Sequence, residues 1–123
     1  MIDYKKYLEI PYKPLGRDWN GCDCWGLLCL IAKGEYGITL PDGKLHKILP
    51  EEEIANLESL STAYRQTNSI REGGIGLCFI NNLHAVMFLT PKLCIEMLPN
   101  GVFVAKASKY ENEYIRFYEL KDK

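Results

Sequence analysis

The chain has 123 residues, of which 47% are hydrophobic, and its 15 basic and 16 acidic side chains give a formal net charge of −1. This length and composition suit one compact domain, residues 1–123, that buries a core without disulfide or metal staples. A nearly neutral chain offers no field for a phosphate backbone, and no stretch is long and apolar enough to span a bilayer, so we expect no nucleic acid partner and no membrane span.

Five cysteines are spread along the chain, an odd number without the density of a secreted disulfide scaffold. This usage favours free thiols in a reducing compartment. Cys29, Cys78 and Cys94 lie inside apolar runs, where a cysteine behaves as a small hydrophobic side chain. The first residues lack the continuous apolar segment of a signal peptide, so we expect a cytoplasmic protein without an export signal.

The first half of the chain carries the helix signals. Residues 1–15 contain two prolines and predict a short helix followed by an extended segment. The apolar run that starts at Cys24 predicts a buried helix to about Glu35, with Gly34 and Gly37 marking its end. After a turn at residues 40–43, the pattern from Pro50 to about Gln66 predicts a second, amphipathic helix.

The second half changes to short runs typical of strands, separated by turns that contain Asn, Pro and Gly. Helices followed by a meandering sheet predict an α+β fold, with N-terminal helices packed on a C-terminal antiparallel sheet of about five strands. The predicted strands are Ile75–Ile80, Leu83–Thr90, Lys92–Met97, Val102–Ala107 and Tyr114–Leu120.

Cys24 follows a glycine-bearing turn and heads the predicted helix. The first turn of a helix exposes unpaired N–H groups and the positive end of the macrodipole, and both stabilise a thiolate relative to a thiol. Cys24 is therefore the candidate nucleophile. We expect Cys22 to point into the core while Cys24 faces a cleft.

A thiol nucleophile needs a base, and the chain has two histidines. His46 lies in a polar stretch where simple solvent exposure is expected, and we assign it no role. His84 starts a predicted strand beside the turn at Asn81, where its side chain can face a cleft. If the next strand pairs back, an inward-facing Glu96 reaches the distal imidazole nitrogen, and the three residues form a triad. The alternatives are a packed histidine and a glutamate on the solvent face.

Several motifs together resemble the NlpC-type papain-like cysteine peptidases, and in particular their phage-tail branch. The resemblance spans about Pro11 to Ala107. It rests on Pro11-Tyr12, Gly16-Arg17, Gly21-Cys22-Asp23-Cys24-Trp25-Gly26-Leu27-Leu28, Tyr36-Gly37-Ile38-Thr39-Leu40-Pro41, Gly73-Gly74-Ile75-Gly76-Leu77 and His84-Ala85-Val86-Met87-Phe88-Leu89.

The resemblance implies a papain-like fold in which Cys24 is the nucleophile, His84 the base and Glu96 the histidine-orienting group. It also places Tyr12 beside the nucleophile as a substrate-binding aromatic, and gives Asp23 a structural role at the helix start. The implied activity is hydrolysis of amide bonds in bacterial wall (murein) peptides, typically next to D-glutamate and diaminopimelate, without a cofactor. The implied setting is a phage or prophage tail with other tail proteins as partners.

The sequence departs from the family pattern at several positions. The third catalytic position in the family is more usually His, Asn or Gln, whereas this chain has Glu96. Gly74 replaces an Asp common in the strand before the base, Leu15-Gly16 replaces a glycine pair, and Thr90-Pro91 replaces a glycine after the histidine strand.

Two other interpretations remain open at this point, and a third is set aside. The papain-like fold could persist as an inactive structural or tail-assembly domain, because fold does not imply function. Cys22, Cys24 and His84 could supply zinc ligands, although structural zinc sites usually contain C-x-x-C pairs. A redox pair of Cys22 and Cys24 is disfavoured, because C-x-C is a poor geometry for a disulfide.

Overall fold

A computed structural model describes residues 2–41 and 63–121, and in this part of the chain one α-helix packs on a six-stranded antiparallel sheet. The predicted α+β fold class is thereby confirmed. A two-stranded hairpin, β1 (Arg17–Asp18) and β2 (Gly21–Cys22), leads into helix α1 (Cys24–Tyr36). The large sheet has the order β3-β8-β4-β5-β6-β7. Its strands are β3 (Tyr64–Thr67), β4 (Ile75–Ile80), β5 (Asn82–Thr90), β6 (Leu93–Leu98), β7 (Gly101–Lys106) and β8 (Tyr114–Leu120).

Helix α1 is delimited by its capping residues. The Asp23 side chain accepts a hydrogen bond from the backbone N–H of Gly26 at 2.8 Å, which makes Asp23 the N-cap. Gly37 ends the helix in the left-handed conformation, with φ of 67°, which a glycine adopts without a Cβ penalty. Gly26 must also be small, because a Cβ atom there would lie 2.2 Å from the carbonyl oxygen of Gly16.

The five predicted strands are all present, with ends that differ from the prediction by at most one residue. The β4–β5 turn consists of Asn81 with φ of 71°, a conformation that Asn tolerates better than most residues. The first segment forms a short 3₁₀ helix, Tyr4–Tyr7, and then an extended stretch, as the prolines predicted.

The prediction that a second helix runs to about Gln66 is wrong at its end. Tyr64–Thr67 form a strand, β3, which pairs with β8 through contacts such as Tyr64 with Leu120. The spacing of Leu57, Leu60 and Tyr64 resembles a helix period, but pairing with a strand more than fifty positions away decides the conformation of Tyr64. The rest of that predicted helix, His46 and the turn beyond Pro41 lie outside the described residues.

Each face of the sheet is covered by a different hydrophobic cluster. Side chains of β5 alternate, so that Leu83, Ala85 and Met87 pack in the main core with α1, while Val86 and Phe88 belong to a second cluster on the other face. A 3₁₀ helix, Ala107–Tyr110, contributes Ala107 and Tyr110 to this second cluster. In the described ranges, no helix is long and apolar enough to cross a bilayer.

Candidate active site

Cys24 is the first residue of α1, directly after the buried Asp23. The adjoining backbone is tied down by two hydrogen bonds, from the Cys22 N–H to the Pro11 carbonyl and from the Lys13 N–H to the Cys22 carbonyl, each at 3.0 Å. Cys24 is partly exposed, whereas Cys22 is fully buried in the main core. The predicted division between a core thiol and a cleft thiol is confirmed.

His84 is the third residue of β5 and meets Cys24 where the sheet ends. The two side chains line the same cleft, and their interaction favours the protonated imidazole. Imidazole Nε2 lies 2.9 Å from Oε1 of Glu96. With Nε2 engaged by the carboxylate, Nδ1 is the ring nitrogen left for the Cys24 thiol. The structure therefore brings Cys24, His84 and Glu96 together at one site.

Glu96 reaches His84 because of the β5–β6 register. Phe88 pairs with Cys94 and Met87 with Ile95. Glu96 is the next residue of β6 and lies on the same face as Cys94, the face of β5 that carries His84 and Phe88. Its side chain is fully buried. The placement that the sequence pattern suggested for Glu96, inward rather than toward solvent, is the observed one.

Two further side chains, neither of them singled out by the sequence analysis, bind the buried carboxylate. Lys109 Nζ donates to Oε2 of Glu96 at 2.7 Å, and the Tyr110 hydroxyl donates to Oε1, the oxygen that also binds His84. Tyr110 additionally packs edge-on against the His84 ring, with centroids 5.5 Å apart. The sequence signal for such partners was the acid in the apolar strand β6, because a buried charge requires partners. That signal does not identify which residues the partners are.

The ionisation of the pair follows from these contacts. Burial by itself raises the pKa of Glu96, but hydrogen bonds from His84, Lys109 and Tyr110 outweigh it and lower that pKa to about 2. Burial by itself disfavours the imidazolium, but the hydrogen bonds with Cys24 and Glu96 outweigh it and raise the pKa of His84 to about 9. Near neutral pH, Glu96 is a carboxylate and His84 favours its protonated form.

A cleft of about 640 Å³ opens over Cys24 and His84. Tyr12 lines it and is 39% exposed, held beside Cys24 because its backbone bridges to Cys22. The remaining walls are mostly apolar and carry no Lys or Arg among the described residues. They include Ile80, Leu83, Met97, Leu98 and Pro99.

A second cavity, of about 830 Å³, lies on the far side of the sheet and is lined by Ile70, Tyr114 and Phe117 among others. Its described lining contains neither cysteine nor histidine, whereas the smaller cleft contains both Cys24 and His84. Within residues 2–41 and 63–121, no group of three or more His, Cys, Asp or Glu side chains is arranged to hold a metal ion.

The chain matches solved structures over nearly all of its length. It aligns with the crystal structure of the NlpC/p60 domain of peptidoglycan hydrolase SagA at a TM-score of 0.66 and 17% sequence identity, covering 93% of this chain and 90% of that one. The fold is that of an NlpC/p60 domain. An NlpC/P60 family protein from Bacillus cereus ATCC 10987 aligns at a TM-score of 0.63 and 18% identity, over 92% of this chain but 36% of the longer one. By sequence, the chain matches no family model and no curated protein.

Within this NlpC/p60 fold, Asp23 fixes the start of helix α1 through three contacts. Its carboxylate accepts from the N–H of Gly26, from the N–H of Leu15 at 3.2 Å, and from Arg17 Nη1 at 2.7 Å. The side chain of Arg17 is 19% exposed, so the ion pair is largely withdrawn from water. The helix-start role that the sequence suggested for Asp23 is confirmed.

Replacing Asp23 with alanine should therefore lower the free energy of unfolding by about 2 to 4 kcal/mol, since a helix cap is lost and a mostly buried guanidinium loses its partner. Asp23→Asn is the matched control, because it keeps the cap acceptor but not the charge, and it should lose about half as much. Urea unfolding of the two variants measures both effects. A loss below about 1 kcal/mol in Asp23→Ala would contradict this assignment.

Proposed function

We propose that this chain is a cysteine peptidase of the NlpC/p60 family that hydrolyses amide bonds in murein peptides. The observation that carries the proposal is that a helix-start thiol and an imidazole line one cleft, with a buried carboxylate on the distal imidazole nitrogen. The murein substrate is supported by the fold shared with a peptidoglycan hydrolase domain and by the motif around Cys24.

The proposed reaction begins from the neutral form of His84, whose Nδ1 takes the Cys24 proton. This transfer gives the imidazolium that the raised pKa of His84 favours, and the thiolate attacks the carbonyl carbon of the bound peptide. Glu96 stabilises the imidazolium that forms and holds its orientation, as a carboxylate does in a nucleophile–histidine–acid triad. His84 then protonates the leaving amine, which leaves a thioester on Cys24. Water activated by the neutral imidazole hydrolyses the thioester and regenerates the thiol.

Backbone N–H groups at the start of α1 supply the oxyanion site in this scheme. The first N–H groups of a helix have no intrahelical partner, and the Asp23 carboxylate takes that of Gly26. The N–H of Cys24 itself lies at the cleft and would donate to the developing oxyanion, where preorganised donors stabilise the transition state. Tyr12 would form the wall against which the substrate peptide packs.

The function is tested with tetrapeptide wall fragments that contain D-glutamate and diaminopimelate. The expected result is a new free amino terminus and two peptide products by mass spectrometry, with prior alkylation of Cys24 by iodoacetamide abolishing them. Peptide mapping confirms which thiol is modified. Two results together would contradict the peptidase proposal and favour the inactive scaffold. Neither the fragments nor intact murein would be cut, and Cys24 would be alkylated no faster at pH 7 than free cysteine.

We further propose that the domain acts as a component of a phage or prophage tail and is synthesised in the cytoplasm before assembly. This part of the proposal rests on the sequence motifs around Cys24 and Tyr36–Pro41 alone. It predicts that the chain is found by mass spectrometry in purified tail particles of the phage that encodes it. A chain recovered in the lysate but never in particles would overturn it.

A further inference from the structure

We propose that Lys109 and Tyr110 are positioning residues, which together fix the Glu96 carboxylate against His84, and that the Lys109 ammonium sets how strongly the carboxylate charge acts on the imidazole. The consequence for catalysis rests on the proposed function. The effect on the imidazole does not, and it can be measured in an inactive protein.

The two carboxylate oxygens of Glu96 accept hydrogen bonds from different residues. Oxygen Oε1 accepts from both His84 and the Tyr110 hydroxyl, while Oε2 accepts from Lys109 at 2.7 Å. Donors on both oxygens prevent the carboxyl group from rotating about its last bond. Because Glu96 is fully buried, no water competes for these positions.

Lys109 and Tyr110 are adjacent residues of one 3₁₀ helix, which follows β7 and covers this end of the sheet. The helix is anchored by two contacts outside the site. The Ala107 N–H donates to the Lys92 carbonyl at 2.8 Å, and the Tyr114 hydroxyl donates to the Ala107 carbonyl at 2.8 Å. The backbone that carries the two donors is therefore held in place next to Glu96.

Few of the surrounding groups carry charge near neutral pH. Burial raises the pKa of the nearby Cys78 and Cys94 thiols to about 12 and also raises the pKa of Tyr110 and Tyr114. These four groups therefore stay neutral between pH 5 and 9. Cys24 on α1 and Glu96 on β6 act directly on the His84 imidazole. Lys109 on the 3₁₀ helix pairs with Glu96 and so acts on His84 through that carboxylate.

The Lys109 ammonium thus opposes the Glu96 charge at the imidazole. A buried carboxylate with no such counterion would favour the imidazolium more strongly. His84 would then release its proton less readily to the leaving amine, and the neutral imidazole needed for thioester hydrolysis would form only at higher pH. Lys109 therefore keeps the pKa of His84 low enough for the ring to release its proton, while Glu96 remains ionised.

The test measures the pKa of His84 by NMR in a Cys24→Ala background, which removes the effect of the thiolate. The chain has only two histidines, so a His46→Gln variant assigns the signal. Lys109→Met, and Lys109→Gln as a second neutral variant that keeps a donor, should each raise the pKa of His84 by about half a unit to one unit. Lys109→Arg retains the charge and should restore the parent value.

The matched control is Lys92→Met, which removes one exposed lysine in the turn before β6 and should leave the His84 pKa unchanged. Tyr110→Phe keeps the ring against His84 but removes the hydroxyl, so the Nε2–H proton should exchange faster with water. An unchanged His84 pKa in both neutral Lys109 variants, or an unchanged Nε2–H exchange rate in Tyr110→Phe, would overturn the corresponding role.

A second readout links the inference to activity. With Cys24 present, Lys109→Met should move the alkaline limb of the pH profile for Cys24 alkylation upward by the same shift, and the pH profile of murein-peptide hydrolysis with it. A protein that shows the NMR and alkylation shifts but cuts no peptide refutes the proposed function and leaves the positioning roles standing. Hydrolysis without either shift refutes the positioning roles alone.

Discussion

Cys24→Ala should abolish hydrolysis of murein peptides, with a loss of about 10⁴- to 10⁶-fold in kcat/KM, the range seen when the nucleophile of a triad hydrolase is removed. The physical reason is that the described walls of the cleft hold no second thiol or serine that the imidazole could activate. The initial rate of fragment cleavage measures the loss. Urea unfolding should show a change within about 0.5 kcal/mol, since a partly exposed helix-start position tolerates alanine.

Cys29→Ala is the matched control for that experiment. Cys29 lies on the same helix and is half-buried against the main core, not in the cleft. Its replacement should leave the cleavage rate within about twofold, because a small loss of packing does not reach the reacting atoms. Residual cleavage above about one hundredth of the parent rate in Cys24→Ala would place the nucleophile elsewhere.

Glu96→Gln should impair both activity and stability. A glutamine cannot satisfy three donors, and its NH₂ group next to Nε2 favours the tautomer that carries the proton on Nδ1, so the base can no longer accept the Cys24 proton. The equivalent change in a serine-protease triad costs about 10⁴-fold, and we expect about 10²- to 10⁴-fold here. We also expect about 3 kcal/mol less stability at pH 6, because a buried ion pair loses one partner.

Glu96→Asp keeps the charge with a shorter reach and separates the two effects. It should recover most of the stability but only part of the rate, because the Nε2 contact lengthens. Urea unfolding and fragment cleavage at pH 6 to 7 measure both quantities. Equal rates for the glutamine variant and the parent protein would remove Glu96 from the mechanism.

The same pair predicts how stability depends on pH. The pKa of Glu96 is lowered from 4.5 to about 2, so its contribution is present above pH 4.5 and is lost as the pH falls toward 2. The pKa of His84 is raised from 6.5 to about 9, so its contribution is present below pH 6.5 and is lost as the pH rises toward 9. The parent protein should therefore be most stable between about pH 4.5 and 6.5, and Glu96→Gln should flatten both limbs.

Local signals were sufficient for most of the fold. Helix α1 begins at Asp23 and ends at Gly37, two residues whose effects act within one turn, and the β4–β5 turn is set by Asn81. Strand β3 could not be obtained in this way. Tyr64 is fixed by its pairing with Leu120 and by the hydrogen bond from its hydroxyl to the Gly73 carbonyl at 2.9 Å, and neither partner is close in sequence.

The candidate site also contains residues that local sequence signals predicted and residues that they did not. Cys24, His84 and Glu96 were within reach of sequence reasoning, because a helix start, a strand start and an acid in an apolar strand are each visible in a short window. Lys109 and Tyr110 were not, because they stand in a polar stretch, Ser108 to Asn112, that is typical of an exposed turn. Only the return of the chain over the end of β6 brings them to Glu96.

Three of the five cysteines are fully buried, which limits how many thiols of the domain can react with electrophiles. Burial raises the pKa of Cys22, Cys78 and Cys94 to about 12, so at neutral pH almost none of each is present as the anion that electrophiles attack. In a Cys29→Ser background, a maleimide dye or a spin label should therefore modify one position in this five-cysteine chain. Fluorescence from that single tag would report how many molecules in a mixed sample hold a competent cleft.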